Sequence, residues 1–278
     1  MERFLTDIKK YWQDRPFIWN EGEEVFRRKI HLPTRGQVLI VGPHPDDPEG
    51  VAVTCRLLMQ SGCSICFAIV SLSPAGVEDD YARRGSRSDF FSMQGKKSEI
   101  RRREQTSSAE MFGLTQDRLV FLGMEEDSTL DSWQNRCLLM NHLESMAPDI
   151  VIMPMGKDPN RTHSWTYRVF RECAKDLTFQ LEKPIVALYN EDPKTVEIRK
   201  DLFVFFGEES ANWKRALLRA HDSQQQRNIR SRGMGFDERI LGMNDSSRRR
   251  SAENSSSAKY AEVFEIELFD FPPHQGSI

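Results

Sequence analysis

Residues 38–49 read Val38-Leu39-Ile40-Val41-Gly42-Pro43-His44-Pro45-Asp46-Asp47-Pro48-Glu49, an apolar run that breaks into a loop of prolines, an imidazole and carboxylates. An aliphatic run without alternation suits a strand buried on both faces, as in a parallel sheet. Runs of the same kind recur at Ser64–Ser71, Leu119–Leu122, Ile150–Met153, Ile185–Tyr189 and Leu202–Phe206. Helix-length amphipathic stretches lie between them, at Glu49–Gln60, Lys97–Phe112, Ser132–Met146, Thr166–Asp176 and Ser210–His221. Strand–helix alternation implies right-handed crossovers. The fold expected is therefore α/β: a doubly wound, mostly parallel sheet with helices on both faces, in three layers. For the strand order 3-2-1-4-5, ligands bind between the first and fourth strands, beyond their carboxyl ends. A site is expected in the loops that begin at Gly42 and Pro154.

The first of these loops crowds His44, Asp46 and Asp47 between prolines that fix the backbone. Neighbouring side chains on such a backbone diverge, so His44 and Asp47 can meet one metal while Asp46 faces a water. The second loop, Pro154-Met-Gly-Lys-Asp158-Pro-Asn160-Arg-Thr162-His163, carries a single imidazole just before an expected helix. His44, Asp47 and His163 make a two-His, one-carboxylate set, the ligand count of a catalytic zinc with an open position. The bland alternative is that Asp46 and Asp47 cap the helix that starts at Glu49 and His44 packs in a turn. Ser73-Pro-Ala-Gly76 follows the second strand at the same sheet end and either shapes a pocket or is a turn.

Composition narrows the class. The 278 residues carry 39 Lys+Arg against 42 Asp+Glu, a net charge of −3, which argues against a general nucleic-acid binder. No apolar run reaches the ~18 residues of a membrane span, and the first 30 residues hold no apolar signal core. A cytoplasmic protein is expected. Five Cys argue against a disulfide scaffold, and Cys63-Ser-Ile-Cys66 reads as buried small hydrophobes rather than a redox pair. Residues 1–36 read as an extension packed on a single domain over 37–278, with a polar, Ser-rich loop at about 244–258.

Pro43-His-Pro-Asp-Asp47 resembles the first motif of the PIG-L/LmbE-like zinc-dependent N-acetylglucosaminyl deacetylases. Arg101-x-x-Glu104 leading to Gly113 resembles that family's Arg-x-x-Glu helix. Lys214…His221-Asp-Ser223-Gln224 and Tyr260-Ala-Glu262-Val-Phe264 resemble its later segments. The resemblance spans about residues 37–265. It implies a Rossmann-like fold and a hydrolase that removes an N-acetyl group from an N-acetylglucosamine-type sugar or conjugate, with zinc or another divalent metal as cofactor. It also implies His44, Asp47 and His163 as ligands, Asp46 as general base and Arg101 near the substrate. The expected partner is a small N-acetylated sugar or glycoconjugate, with no nucleic acid and no membrane span; a homo-oligomer is left open.

The second motif departs from the family. Where the family often reads Asp-x-His-Pro-Asp-His, this chain has Asn160 for the first His and Thr162 for the Asp before the ligand His. Asn160 can donate a hydrogen bond to an oxyanion but cannot act as a general acid. His221 is nominated for substrate binding by elimination. The main alternative is a degenerate scaffold that binds sugar or metal without turnover. A dinucleotide-binding domain is disfavoured, because the first loop lacks G-x-G-x-x-G.

Overall fold

The computed structural model describes residues 1–21, 30–85, 92–251 and 258–270. Its elements in chain order are α1 (Glu2–Lys10), β1 (Phe17–Asn20), β2 (Gln37–Gly42), α2 (Ala52–Gln60), β3 (Ser64–Ile69), α3 (Asp79–Gly85), α4 (Met93–Phe112), β4 (Leu119–Phe121), α5 (Trp133–Met146), β5 (Ile150–Pro154), α6 (Arg161–Leu181), β6 (Ile185–Asn190), β7 (Leu202–Phe206), α7 (Glu208–Arg219), α8 (Asp222–Arg232), α9 (Phe236–Arg250) and β8 (Tyr260–Phe269). The strands form one sheet in the order β1-β7-β8-β6-β5-β2-β3-β4. From β6 to β4 the pairs are all parallel, so β2 sits between β3 and β5 and the order reverses where the sequence pattern places it.

Alternate side chains of β2 enter different cores, which is the reason its run shows no polar alternation. Val38 and Ile40 pack with residues of α2 and α7. Leu39 and Val41 pack with Leu139 and Leu143 of α5 and Val169 and Phe170 of α6. Helices thus cover both faces of the sheet, and the three-layer doubly wound fold stands. Cys63 and Cys66 are buried and free. No helix among the described residues is long and apolar enough to cross a membrane.

Some elements differ from the expectation. The N-terminal segment buries Phe4 and Ile8 and also adds a strand, β1, parallel to β7. β8 runs antiparallel between β6 and β7; its glutamates interrupt the apolar pattern that marks the other strands. The polar loop expected at about 244–258 is helix through Arg250. Its polar residues find partners inside the fold: Asn244 accepts from Lys214 Nζ and donates to Ala261 O, and Ser247 donates to Glu191. Residues 252–257 lie outside the described residues. α6 starts at Arg161 rather than Thr166, so His163 stands on a first helical turn instead of in the loop.

Candidate active site

The carboxyl ends of five parallel strands supply the site. The loop after β2 gives His44, Asp46 and Asp47; the loop after β3 gives Ser73; the loop after β4 gives Glu126. Asn160 and His163 follow β5, and Asp192 follows β6. Most of these residues line a cavity of about 140 Å³ that also receives residues of α8 and α9. Gly156 holds the β5 loop close to α6: a Cβ there would lie 2.3 Å from Tyr167 Cβ, a contact that no side-chain rotation relieves.

Three donors converge in this cavity. His44 Nδ1 lies 3.2 Å from His163 Nε2, and each lies 3.6 Å from Asp47 Oδ2. The outer nitrogens both meet carboxylates: His44 Nε2 is 2.6 Å from Glu126 Oε1, and His163 Nδ1 is 3.0 Å from Asp158 Oδ2. With N–H groups turned outward, the two inner nitrogens present lone pairs to one another and to a carboxylate. Such a point favours a cation. In the metal-free chain it is a proton: burial opposes a charged His163, but Asp47 and then Asp158 outweigh it and hold the imidazolium to about 9. Burial raises Asp47 to about 6 against the pull of His163 and His44.

The same set fits a divalent metal. Ligands at about 2.0–2.2 Å in tetrahedral array stand roughly 3.3–3.6 Å apart, which matches the observed separations. Carboxylates on the outer nitrogens are the usual support of metal-bound imidazoles. A second acidic set, Asp158, His163 and Asp192, shares His163 with the first and gathers on its other side.

Asp46 stands beside this centre in a rare backbone conformation, φ +89°, which for a residue other than glycine persists only when neighbours hold it. Arg101 supplies that hold: Nη1 and Nη2 donate to Asp46 Oδ2 at 3.1 and 3.2 Å, and Nη2 also donates to Pro45 O. Gln105 Oε1 accepts the Asp46 amide at 2.9 Å. Asp46 Oδ1 has no hydrogen-bond partner among the described residues. Arg101, expected against the substrate, lines the cavity with Nη1 and Nη2 engaged by Asp46 and Pro45 O.

Asn160 is the N-cap of α6. Its Oδ1 accepts from the amides of Thr162 and His163. Capping therefore fixes which end of the amide is engaged, and Nδ2 is left on the cavity wall without a partner among the described residues. Thr162, the other departure, donates to Glu126 at 2.9 Å, and Ser73 donates to the second Glu126 oxygen at 2.9 Å. Burial opposes ionisation of Glu126, yet these bonds, led by the His44 contact, hold it down to about 2. His221 is not in the cavity wall, contrary to expectation. It is fully buried at the start of α8, its Nε2 3.3 Å from Glu49 Oε1, and Glu49 also binds Gln105 and Ser108.

The segments that carry the family resemblance interlock in pairs. Glu104 of α4 accepts from the amide and hydroxyl of Ser223 at the start of α8. Lys214 of α7 is fully buried and donates to Glu262, Asn244 and Gly50 O. Glu262 in turn accepts the amides of Val53 and Thr54 at the entry to α2. The first contact ties α8 to α4, and the second ties α7 and β8 back to the loop and helix that follow β2.

Residues 39–174 match the PIG-L family, described as GlcNAc-PI de-N-acetylase. This stretch is a PIG-L domain. It contains His44, Asp46, Asp47, Arg101, Glu126, Asn160 and His163, and excludes Asp192 and the α8–α9 wall of the cavity. No curated protein matches the chain in sequence. Among solved structures, an N,N'-diacetylchitobiose deacetylase from Pyrococcus horikoshii is 18% identical with a TM-score of 0.63, covering 84% of each chain. The A40926 pseudoaglycone deacetylase Dbv21 is 15% identical at TM-score 0.56, over 84% of this chain and 98% of its own. GalB, the 4-carboxy-2-hydroxymuconate hydratase from Pseudomonas putida, is 20% identical at TM-score 0.55, over 83% and 95%. These likenesses show that the PIG-L domain and its flanks share one fold. Because a hydratase is among the carriers, the chemistry has to be argued from the site.

Sequence reasoning missed Glu126, Asp192 and the cavity arginines of α8 and α9. Glu125-Glu126-Asp127 reads as a solvated acidic turn; the usable signal was its place after a parallel strand. The residues of α8 and α9 carry no signal of that kind.

Proposed function

We propose that the chain is a divalent-metal hydrolase that removes the acetyl group from an N-acetylglucosamine-type sugar or sugar conjugate. The observation that carries this reading is the convergence of His44 Nδ1, His163 Nε2 and Asp47 Oδ2, separated by 3.2–3.6 Å, with Asp46 beside them. The PIG-L match over the stretch that holds these residues supports the choice of an acetylated amine over a hydratase substrate.

His44, Asp47 and His163 would hold the metal. A divalent ion there supplies Lewis acidity at the amide carbonyl and makes water acidic enough to attack at neutral pH. The remaining work belongs to the chain. Asp46 Oδ1, the oxygen that Arg101 leaves open, takes a proton from the attacking water as it adds to the acetyl carbon. Asn160 Nδ2 donates to the oxygen that becomes negative. As the carbon–nitrogen bond breaks, Asp46 returns the proton to the departing nitrogen, giving acetate and the free amine. One carboxylate thus serves as base and then acid, which removes the need for an imidazole at position 160. Arg101 holds that carboxylate in place through both transfers.

The test is acetate release from a panel of N-acetylated sugars by the full chain loaded with zinc, and separately with cobalt or manganese. Acetate and amine are expected in equal amounts from at least one of them, with none from metal-free protein. A metal-loaded chain that releases no acetate from any acetylated sugar overturns the reading.

A further inference from the structure

Behind the cavity wall lies a buried polar cluster that the proposed chemistry does not use. Glu49, Gln105, Ser108 and His221 are all fully buried. Polar groups in such surroundings are costly unless partners satisfy them. Here the partners are one another, and the chain of contacts ends on Asp46. Glu49 Oε1 accepts from Gln105 Nε2 at 2.9 Å and from the Ser108 hydroxyl. Gln105 and Ser108 are three residues apart on α4, so one helix turn presents both. His221 Nε2 comes to 3.3 Å from the same oxygen, at the start of α8. Burial opposes a charge on His221, but Glu49 outweighs it and raises the pKa of the ring. At the other end of the chain, Gln105 Oε1 accepts the Asp46 amide at 2.9 Å.

The direction of this chain is fixed. A carboxylate only accepts and a backbone N–H only donates. Gln105 lies between one of each, so its amide fits in a single orientation, with the oxygen toward Asp46. Reversed, it would set N–H₂ against N–H and C=O against a carboxylate. Glu49 thus decides which end of Gln105 the Asp46 backbone meets. The bond matters because of where Asp46 stands: at φ +89° a residue other than glycine stays only when its neighbours hold it. Arg101 holds the side chain through Oδ2, and Gln105 holds the backbone. Glu49 is itself anchored, since Lys214 Nζ donates to the next residue, Gly50 O, at 2.6 Å.

We propose that Gln105 and Glu49 are positioning residues for Asp46: Glu49 orients the Gln105 amide, and Gln105 holds the Asp46 backbone in the conformation that leaves Oδ1 free. Ser108 and His221 back Glu49, which gives the buried imidazole a place in the site without a contact to substrate. That Asp46 is a base rests on the deacetylase reading; that it is held in this way does not.

The test compares, at each position, a variant that keeps the hydrogen-bonding pattern with one that keeps only the shape. Glu49→Gln retains an acceptor for Gln105. Gln105→Glu retains an acceptor for the Asp46 amide and, by sharing one proton with Glu49, a donor to it. Gln105→Met and Glu49→Met remove the pattern. The first readout is hydrogen exchange at the Asp46 amide in the metal-free full chain carrying isotope-labelled aspartate, the signal identified by its loss in Asp46→Asn. Exchange should quicken about three- to tenfold in Gln105→Met, the worth of one neutral hydrogen bond, and also in Glu49→Met, which acts through Gln105. The two pattern-keeping variants should stay near the parent rate. The second readout is acetate release by metal-loaded protein. There kcat should fall about tenfold or more in the Met variants, with KM and metal content unchanged, and Glu49→Gln and Gln105→Glu should recover most of it. A merely structural role would follow the melting temperature instead, and Gln105→Glu, which buries a second carboxyl group, has no advantage in stability over Gln105→Met. If Glu49→Met does not fold, the pair at position 105 decides, because the rescue by Gln105→Glu itself depends on Glu49. An Asp46 amide indifferent to Gln105→Met or to a folded Glu49→Met, or a loss carried by KM alone, overturns the proposal. Quickened exchange at Asp46 in a chain that releases no acetate from any acetylated sugar removes only the deacetylase reading and leaves the hold on Asp46 standing.

Discussion

Metal binding to this chain should be tightly linked to pH, and the structure sets the size of the effect. In the metal-free centre His163 keeps its proton to about 9, because Asp47 and Asp158 overcome the cost of burying the charge. A metal can occupy Nε2 only after that proton leaves, so affinity rises with pH. Between roughly pH 6 and 9 each unit of acidification should weaken binding about tenfold. At pH 7 the penalty is about 2.7 kcal/mol, two units at 1.36 kcal/mol each. Below about 6, Asp47 begins to hold a second proton and the slope steepens. Competition with a chromophoric chelator, corrected for the protonation of the dye, gives the affinity at each pH. Calorimetry in two buffers of different ionisation enthalpy counts the protons: about one released at pH 7–8, rising toward two below 6. Asp158→Asn removes one of the charges that hold the proton, so the region of tenfold loss should begin at lower pH. An affinity that stays constant between about pH 6 and 8, with no proton released, would refute the convergent lone-pair geometry on which the metal assignment stands.

Further outcomes follow from individual contacts. Asp46→Asn should retain metal and lower acetate release about 10²–10⁴-fold; a fall below about tenfold in metal-loaded protein would remove Asp46 as the base. Asn160→Asp keeps the α6 cap, since Asp caps as well as Asn, but offers no N–H to the substrate, so turnover should fall 10²–10³-fold at unchanged melting temperature. Asn160→Ala should lose turnover and also about 1 kcal/mol of stability, and full turnover in Asn160→Asp would reduce the residue to a cap. Glu126→Gln weakens the support of His44 and should cost about 10–100-fold in metal affinity, read by the same chelator competition; an unaltered affinity would make Glu126 incidental. Lys214→Met strands the buried Glu262 carboxylate and should destabilise the chain by about 3–5 kcal/mol in denaturant unfolding, a change that would be absent if the pair were solvent-screened.

The core of the sheet was legible because its strands are buried on both faces, and that condition writes itself as unbroken apolar runs. The same rule concealed β8: three of its residues are glutamates, and what makes Glu262 tolerable in a buried strand is Lys214, distant in sequence. β1 was hidden for a different reason, since a short edge strand needs little apolar length. The meeting of His44 and Asp47 with His163 was legible from topology, because the order of the strands brings the ends of β2 and β5 together and each loop carried few candidate ligands. Roles that depend on a contact between distant residues were not legible. Nothing in the local sequence tells that Arg101 turns onto Asp46, that His221 lies behind the wall against Glu49, or that Glu126 reaches His44.

The two departures in the second motif gain a physical meaning from these contacts. At position 162 an acid would stand 2.9 Å from a carboxylate already committed to His44, whereas the threonine donates its hydroxyl to that carboxylate. The outer nitrogen of His163 is met instead by Asp158, from the loop before the helix. Position 162 therefore serves the imidazole of the β2 loop, while Asp158 stands at the outer nitrogen of the α6 imidazole. At position 160 the cap requires an oxygen acceptor for two amides, and an amide side chain meets that need while presenting its N–H₂ group to the cavity. A histidine there would offer a proton but a poorer cap, and α6 begins at this residue, so the cap also sets where His163 stands. On the function proposed above, the chain keeps both histidines supported and forgoes the extra acid, and Asp46, held by Arg101, would carry the proton in both directions.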